Sequence, residues 1–147
     1  MFRRMIIRIV LLVTLGLALA AAVPILPAVA QPTAATAELG QTATLVAKGA
    51  AVQVPVIYSC SPDTASGSVS VTVTQRVGGQ RIAQGSGGTS GLICDGAQHT
   101  ALLTVTSFSG TAFHQGVALA QGSLVACDEF GACLVVQFSE TIEIAKK

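Results

Sequence analysis

The chain contains four cysteines, Cys60, Cys94, Cys127 and Cys133, whose side chains can form crosslinks or bind a metal ion. Zinc-binding cysteines usually come in pairs with roughly two to four residues between them, and neither pair of successive cysteines has this spacing. Cys127 and Cys133 flank a short loop, residues 128–132, and a hairpin there would bring them to bonding distance. Four cysteines allow three connectivities. The hairpin argument favours Cys127 with Cys133, which leaves Cys60 to pair with Cys94.

Only two histidines, His99 and His114, are available for general acid–base chemistry. His99 follows a turn near Asp95 and is expected to face solvent, while His114 alternates with Phe113 and is expected to point away from the apolar face. A metal site formed by His99, His114 and Asp95 would require their strands to pair. The chain has no Gly-x-Ser-x-Gly, His-Glu-x-x-His or phosphate-binding Gly-Lys-Ser/Thr motif. We therefore expect no enzyme, no cofactor and no metal site.

The N-terminal residues have the three parts of an export signal. A positively charged start is followed by an apolar run over residues 9–23, two prolines and a small-residue pattern for signal peptidase. Cleavage is expected after Ala30. An uncleaved anchor is the alternative, but about 15 apolar residues fall short of the roughly 20 that cross a bilayer. The residues that define this pattern are Arg3, Arg4, Arg8, Pro24, Pro27, Ala28, Val29 and Ala30.

The amino-acid composition excludes further classes of protein. Charged residues make up 10% of the chain, the formal net charge is +1, and the mean hydropathy is +0.68. These values are typical of a folded protein and not of a disordered chain. From position 31 onward there are five basic and seven acidic residues, so no basic surface is expected to bind nucleic acid. The predicted organisation is a signal peptide over residues 1–30, a flexible lead over 31–40 and one domain over 41–147, which is secreted and free of the membrane.

Apolar and polar residues alternate through most of this domain. In residues 52–60 the even positions carry the apolar side chains Val52, Val54 and Val56, which is the pattern of a half-buried strand. The same period predicts strands over 42–48, 68–77, 80–84, 91–94, 99–108, 111–127 and 133–144, with a bulge near 121–123. Seven or eight short strands separated by turns indicate an all-β, immunoglobulin-like antiparallel sandwich.

Glycine positions predict the connections between the strands. Gly78-Gly79 is typical of a two-residue hairpin turn, which would place Arg76 opposite Arg81. The Gly-rich residues 85–91, GSGGTSG, are predicted to form a mobile loop.

The disulfide-flanked hairpin and its surroundings, Val125-Ala126-Cys127 to Cys133-Leu134-Val135-Val136, resemble the neocarzinostatin-type enediyne apoproteins. This resemblance implies an immunoglobulin-like sandwich with an apolar cleft for a chromophore, lined here by Phe108, Phe113 and Phe130. The segments Val54 to Pro62, Cys94 to Thr100 and Cys127 to Cys133 also resemble a family of small, uncharacterised secreted proteins of actinobacteria. The second resemblance covers most of the domain and implies no activity.

These observations predict a secreted, non-catalytic structural or binding module with a cell-surface or extracellular partner. A carrier of a small apolar ligand, of the neocarzinostatin type, is the alternative, and an enzyme is the third possibility. The serine- and threonine-rich outward faces of the strands are suited to contact sugars or cell-wall polymers, and they are equally suited to keep a sandwich soluble.

Overall fold

In the computed structural model, residues 34–146 are described and form eight strands and one short 3₁₀ turn, Ala47–Gly49. The all-β prediction is confirmed. The predicted signal peptide lies outside the described residues. The strands are β1 (Ala35–Leu39), β2 (Thr42–Val46), β3 (Ala51–Cys60), β4 (Ser66–Val77), β5 (Arg81–Ser90), β6 (His99–Ser107), β7 (Gly116–Cys127) and β8 (Cys133–Lys146).

The period-two pattern decides which face of each strand is buried. In β3 the side chains of Val52, Val54 and Val56 are fully buried, and in β4 the alternate residues Val69 and Val71 meet them in the core. Branched side chains pack well on a pleated surface, and each buried one stabilises the fold by about 1.5–3 kcal/mol. The core therefore follows directly from the alternation.

Seven strands close into a barrel in the order β2-β3-β6-β5-β4-β7-β8 and back to β2. The eighth strand, β1, pairs with residues 56–60 of β3, on the same edge of β3 that pairs with β2 through residues 51–53. The predicted antiparallel sandwich is thus corrected in two respects. First, β2 pairs antiparallel with β3 and also in parallel with the end of β8, so it joins the two edges of the sheet. Second, β5 pairs along its length with β4 and also, at two positions, with β6. Alternation is the same in sandwiches and barrels, so these junctions are not visible in the sequence.

The Gly-rich residues 85–91 do not form the predicted loop, because most of them continue β5 to Ser90. A β-carbon on Gly85 or Gly87 would collide with the backbone carbonyls of Thr106 or Thr104 on β6. These glycines allow the two strand backbones to approach closely where the barrel closes.

Several finer predictions are also corrected. Residues 31–40 are not a flexible lead throughout, since Ala35–Leu39 form β1. Val77 pairs with Arg81 across a three-residue turn, so Arg76 lies opposite Ile82 and not opposite Arg81. Residues 91–94 and 111–115 lie outside the strands, and β7 pairs with both neighbours in continuous register, without the predicted bulge.

We call the end of the barrel where β3 begins and β8 ends the upper end, and the opposite end the lower end. The connections 47–50, 78–80 and 108–115 lie at the upper end. The connections 61–65, 91–98 and 128–132 lie at the lower end. Between residues 34 and 146 there is no helix long and apolar enough to cross a bilayer.

Candidate functional site

Both disulfides form, and both lie at the lower end. Cys60, at the end of β3, is bonded to Cys94 in the connection between β5 and β6. Cys127 and Cys133 are bonded across the β7–β8 hairpin. All four cysteines are therefore crosslinked, and none is free to act as a nucleophile or thiolate ligand.

The loop attached to Cys94 is organised by Asp95 and His99. One Asp95 carboxylate oxygen lies 2.8 Å from His99 Nε2 and also accepts the N–H of Ala97 at 2.8 Å. The hydrogen bond to His99, followed by that to Ala97, lowers the pKa of Asp95 from its ordinary value. The centres of the Tyr58 and His99 rings are 5.8 Å apart. The Tyr58 hydroxyl oxygen accepts a hydrogen bond from the Ile93 N–H at 3.2 Å. These contacts hold the loop against the end of β3.

The structure does not bring His99, His114 and Asp95 together to form a metal site. His114 lies at the upper end, where its N–H and carbonyl each form a 2.9 Å hydrogen bond with the side-chain amide of Gln75. Gln75 is a buried polar residue, and this bidentate contact satisfies it. Asp95 and His99 remain at the lower end. Within residues 34–146 no group of three or more His, Cys, Asp or Glu residues is arranged to hold a metal ion.

The three phenylalanines proposed to line an apolar cleft lie apart. Phe113 is 2% exposed and packs in the core, with its N–H bonded to the Gly49 carbonyl at the upper end. Phe108 follows β6 at the same end and is 62% exposed. Phe130 lies at the tip of the Cys127–Cys133 hairpin and is 87% exposed. The structure therefore does not bring these residues into one chromophore-type cleft.

An open groove of about 550 Å³ crosses the outer face of β4, β7 and β8. Its polar side chains occupy outward positions on adjacent strands, where Ser70 pairs with Ser123, and Ser123 with Gln137. The Ser70 and Ser123 hydroxyls are 3.3 Å apart. None of the lining residues is charged. They are Ser70, Thr72, Gln121, Gly122, Ser123, Gln137, Phe138 and Ser139.

Gly122 makes room for the Phe138 ring on the inner side of β7, beneath the middle of this groove. It lies between Val71 and Phe138 in the cross-strand register, and a β-carbon at this position would collide with the Phe138 ring and the Ser70 carbonyl. The outward serines and threonines are visible in the sequence, but the groove that they line is not. The sequence signal for this groove is a set of uncharged polar residues at outward positions of β4, β7 and β8. These residues form one surface only because the three strands are neighbours in the sheet.

A second cleft, of about 380 Å³, opens at the lower end beside the start of β1 and the start of β8. It is more apolar than the groove. Its lining residues are Ala34, Ala35, Thr36, Ser59, Cys60, Ser61, Gly96 and Leu134.

Comparison with known proteins gives no family for this chain. No protein-family model matches it, and no curated protein matches it in sequence. Among solved structures, a protein assigned as ApaA from Bordetella pertussis aligns with a TM-score of 0.48 and 11% identity, over 78% of this chain and 96% of that one. AggA, the major subunit of aggregative adherence fimbriae type I from Escherichia coli, aligns with a TM-score of 0.40 and 11% identity, over 80% of this chain and 97% of that one. The actinobacterial and neocarzinostatin-type resemblances remain predictions.

Proposed function

We propose that this protein is a secreted, non-catalytic binding module that recognises a neutral, hydroxyl-rich polymer, such as a cell-wall or surface glycan, in the groove across β4, β7 and β8. The observation that carries this proposal is the lining of the groove. Its outward side chains are hydroxyls and amides, and none of its lining residues is charged.

The chemistry of this lining matches that of a glycan. Serine and threonine hydroxyls and glutamine amides both donate and accept hydrogen bonds, as sugar hydroxyls do. A charged polymer would leave its charges without partners in this groove, which disfavours it relative to a neutral one. The groove is open, so an extended chain can enter and leave at its ends.

Secretion is supported by two independent features. The N-terminal residues have the pattern of a cleaved export signal. The two disulfides are of the kind that forms and persists in oxidising compartments outside the cytoplasm. The proposed lack of catalysis is supported by the separation of the two imidazoles, since His99 lies at the lower end, beside Asp95, and His114 at the upper end.

The proposal is tested by measuring binding to a panel of neutral and charged polysaccharides, by isothermal titration calorimetry for soluble chains and by co-sedimentation for insoluble ones. We expect the wild type to bind a neutral member, and the double variant Gln121→Ala/Gln137→Ala to bind at least about tenfold more weakly, since each lost hydrogen bond contributes about 1 kcal/mol. Gln80→Ala is the matched control, because Gln80 is exposed in the β4–β5 turn, outside the groove. Equal binding by the double variant and this control would contradict the proposal.

A carrier of a small apolar ligand is the second candidate, and the apolar cleft beside β1 and Leu134 is the observation in its favour. The ligand would then lie at the lower end and not among Phe108, Phe113 and Phe130. Native mass spectrometry of the protein purified from its own culture medium tests this function. A retained small molecule would support a carrier, and the bare chain mass would oppose it.

A further inference from the structure

Charged residues are distributed unevenly between the two ends of the barrel. The connections at the lower end carry four carboxylates and no lysine or arginine, whereas every lysine and arginine within residues 34–146 lies at the upper end. The four carboxylates belong to Asp63, Asp95, Asp128 and Glu129, and the four cations are Lys48, Arg76, Arg81 and Lys146. The small net charge of the whole chain therefore hides a strong polarity along the barrel.

The cations at the upper end are exposed to solvent. None of them forms an ion pair with a carboxylate of residues 34–146, where the one ion pair joins His99 to Asp95 at the lower end. A single carboxylate, that of Glu143 on β8, lies near the same end. The upper end therefore presents a positive field, which attracts anionic groups within about 8 Å at physiological ionic strength.

Three large apolar side chains are exposed at the same end. Ile82 lies directly opposite Arg76 in the β4–β5 ladder and is 51% exposed. Phe108 is 62% exposed, and its N–H donates to the carbonyl of Gln84, two residues along β5 from Ile82, at 3.0 Å. Val117, near the start of β7 on the other side of β4, is 63% exposed. We define the upper rim as Arg76, Arg81, Ile82, Phe108 and Val117.

This combination of side chains fits an anionic lipid surface better than a soluble polyanion. Both partners offer anionic groups, and the arginine guanidinium pairs with phosphate or carboxylate through two parallel hydrogen bonds. Only a lipid surface also has an apolar layer directly behind its phosphates, where aromatic and branched side chains are removed from water. A soluble polyanion would leave the three apolar side chains of the upper rim in water.

We propose that the upper rim docks the protein reversibly onto an anionic lipid surface, with its two arginines at the phosphate groups and its three apolar side chains among the headgroups. Lys48 and Lys146, elsewhere at the same end, add to the attraction, and the acidic lower end points away from the membrane. This peripheral contact differs from the expectation, drawn from the sequence, of a chain free of the membrane. It does not depend on the proposed glycan function, because the groove lies near the middle of β4, β7 and β8.

The test uses the protein secreted from an expression host and measures its co-sedimentation with two kinds of vesicle. One contains phosphatidylcholine alone, and the other contains phosphatidylcholine with an equal amount of phosphatidylglycerol. We expect the wild type to bind the mixed vesicles and to stay in the supernatant with the neutral ones. Arg76→Gln/Arg81→Gln should bind the mixed vesicles about thirtyfold more weakly, because two cations near the surface are lost. Absence of wild-type binding to the mixed vesicles, or equal binding to both kinds, would overturn the proposal.

Ala97→Glu/Ala132→Glu is the matched control for charge. It changes the net charge by the same amount as the arginine variant, at two exposed positions of the lower end. We expect it to bind the mixed vesicles as the wild type does, because the lower end lies more than a Debye length from the docked surface. Equal weakening in the control and the arginine variant would show that net charge alone sets the affinity, which contradicts docking by the upper rim.

A further variant separates a lipid surface from a soluble polyanion. Ile82→Ser/Phe108→Ser keeps every charge, and both side chains are exposed, so the core is unaffected. We expect this variant to bind the mixed vesicles about tenfold more weakly than the wild type, because less apolar area is removed from water. The wild type should bind soluble polyglutamate much more weakly than it binds the vesicles. Unchanged vesicle binding by the variant, or equally tight wild-type binding to polyglutamate, would assign the upper rim to an anionic polymer and overturn the lipid proposal.

Discussion

The two ends of the barrel contain the same strands but are stabilised in different ways. At the upper end β2 completes the sheet beside β8, Ile142 and Ile144 are buried, and the Gln75 amide holds the backbone of His114. At the lower end β1 packs beside β8, no strand within residues 34–146 forms a ladder with that edge, and the inward side chains of β8 are half-buried. Both disulfides lie at this lower end.

The two ends therefore differ in covalent structure: the upper end is closed by strand pairing and buried side chains alone, and the lower end carries both crosslinks as well. Where a neighbouring strand excludes water, apolar burial supplies the stabilisation. Where it does not, crosslinks reduce the conformational entropy of the unfolded chain and keep the connections in place.

Removal of the Cys60–Cys94 bond should have the largest effect on stability. This bond spans 34 residues, and the Cys60→Ala/Cys94→Ala variant should lower the free energy of unfolding by about 4 kcal/mol in the loop-entropy model. The Cys127–Cys133 bond spans 6 residues, and its removal should cost about 2 kcal/mol. Urea denaturation of both double variants measures the difference. A larger loss from the short hairpin would contradict the proposed entropic origin.

Truncation of side chains within β8 compares its two halves directly. Ile144→Ala should lower the free energy of unfolding by about 3 kcal/mol, because the fully buried side chain leaves a cavity. Val136→Ala should cost about 1 kcal/mol in the single chain, since this side chain is half-exposed. The measurement is denaturation at a concentration where the protein is monomeric. Equal losses for the two variants would show that the lower half is as well packed as the upper half.

The smallest effect concerns acid stability at the lower end. The folded chain holds the pKa of Asp95 below its unfolded value through the contacts with His99 and Ala97. The carboxylate therefore stabilises the fold above the unfolded pKa, and this contribution is lost as the pH falls through the folded pKa. We expect His99→Ala to raise the Asp95 pKa measured by NMR titration. An unchanged Asp95 pKa in this variant would rule out the His99 hydrogen bond as the main cause.

Much of the fold could be predicted because buried and exposed residues alternate along the strands. Val52, Val54 and Val56 lie in the core as their spacing indicates, and the loop between Cys127 and Cys133 is short enough to specify its hairpin. The Gly-rich residues of β5 were predicted wrongly because glycine disfavours strands in general. Here Gly85 and Gly87 are required by the close approach of β6, a contact between segments distant in sequence.

The candidate site was less predictable. Its outward serines, threonines and glutamines were visible as polar positions, but a polar position on a strand has no defined neighbour until the strand order is known. Phe108, Phe113 and Phe130 do not share the predicted cleft for the same reason, since Phe113 is buried at the upper end, Phe108 is exposed there and Phe130 is exposed at the lower end.

The amino-acid sequence by itself determined that the chain forms strands, which side of most strands is buried and that its cysteines can pair as two disulfides, because these properties depend on residue type and short spacing. Only the tertiary structure decided that β2 and β5 close a barrel, that an uncharged groove crosses three strands and that β1 packs beside the first half of β8. Those features depend on which segments become neighbours, and that choice is made by the packing of the whole chain.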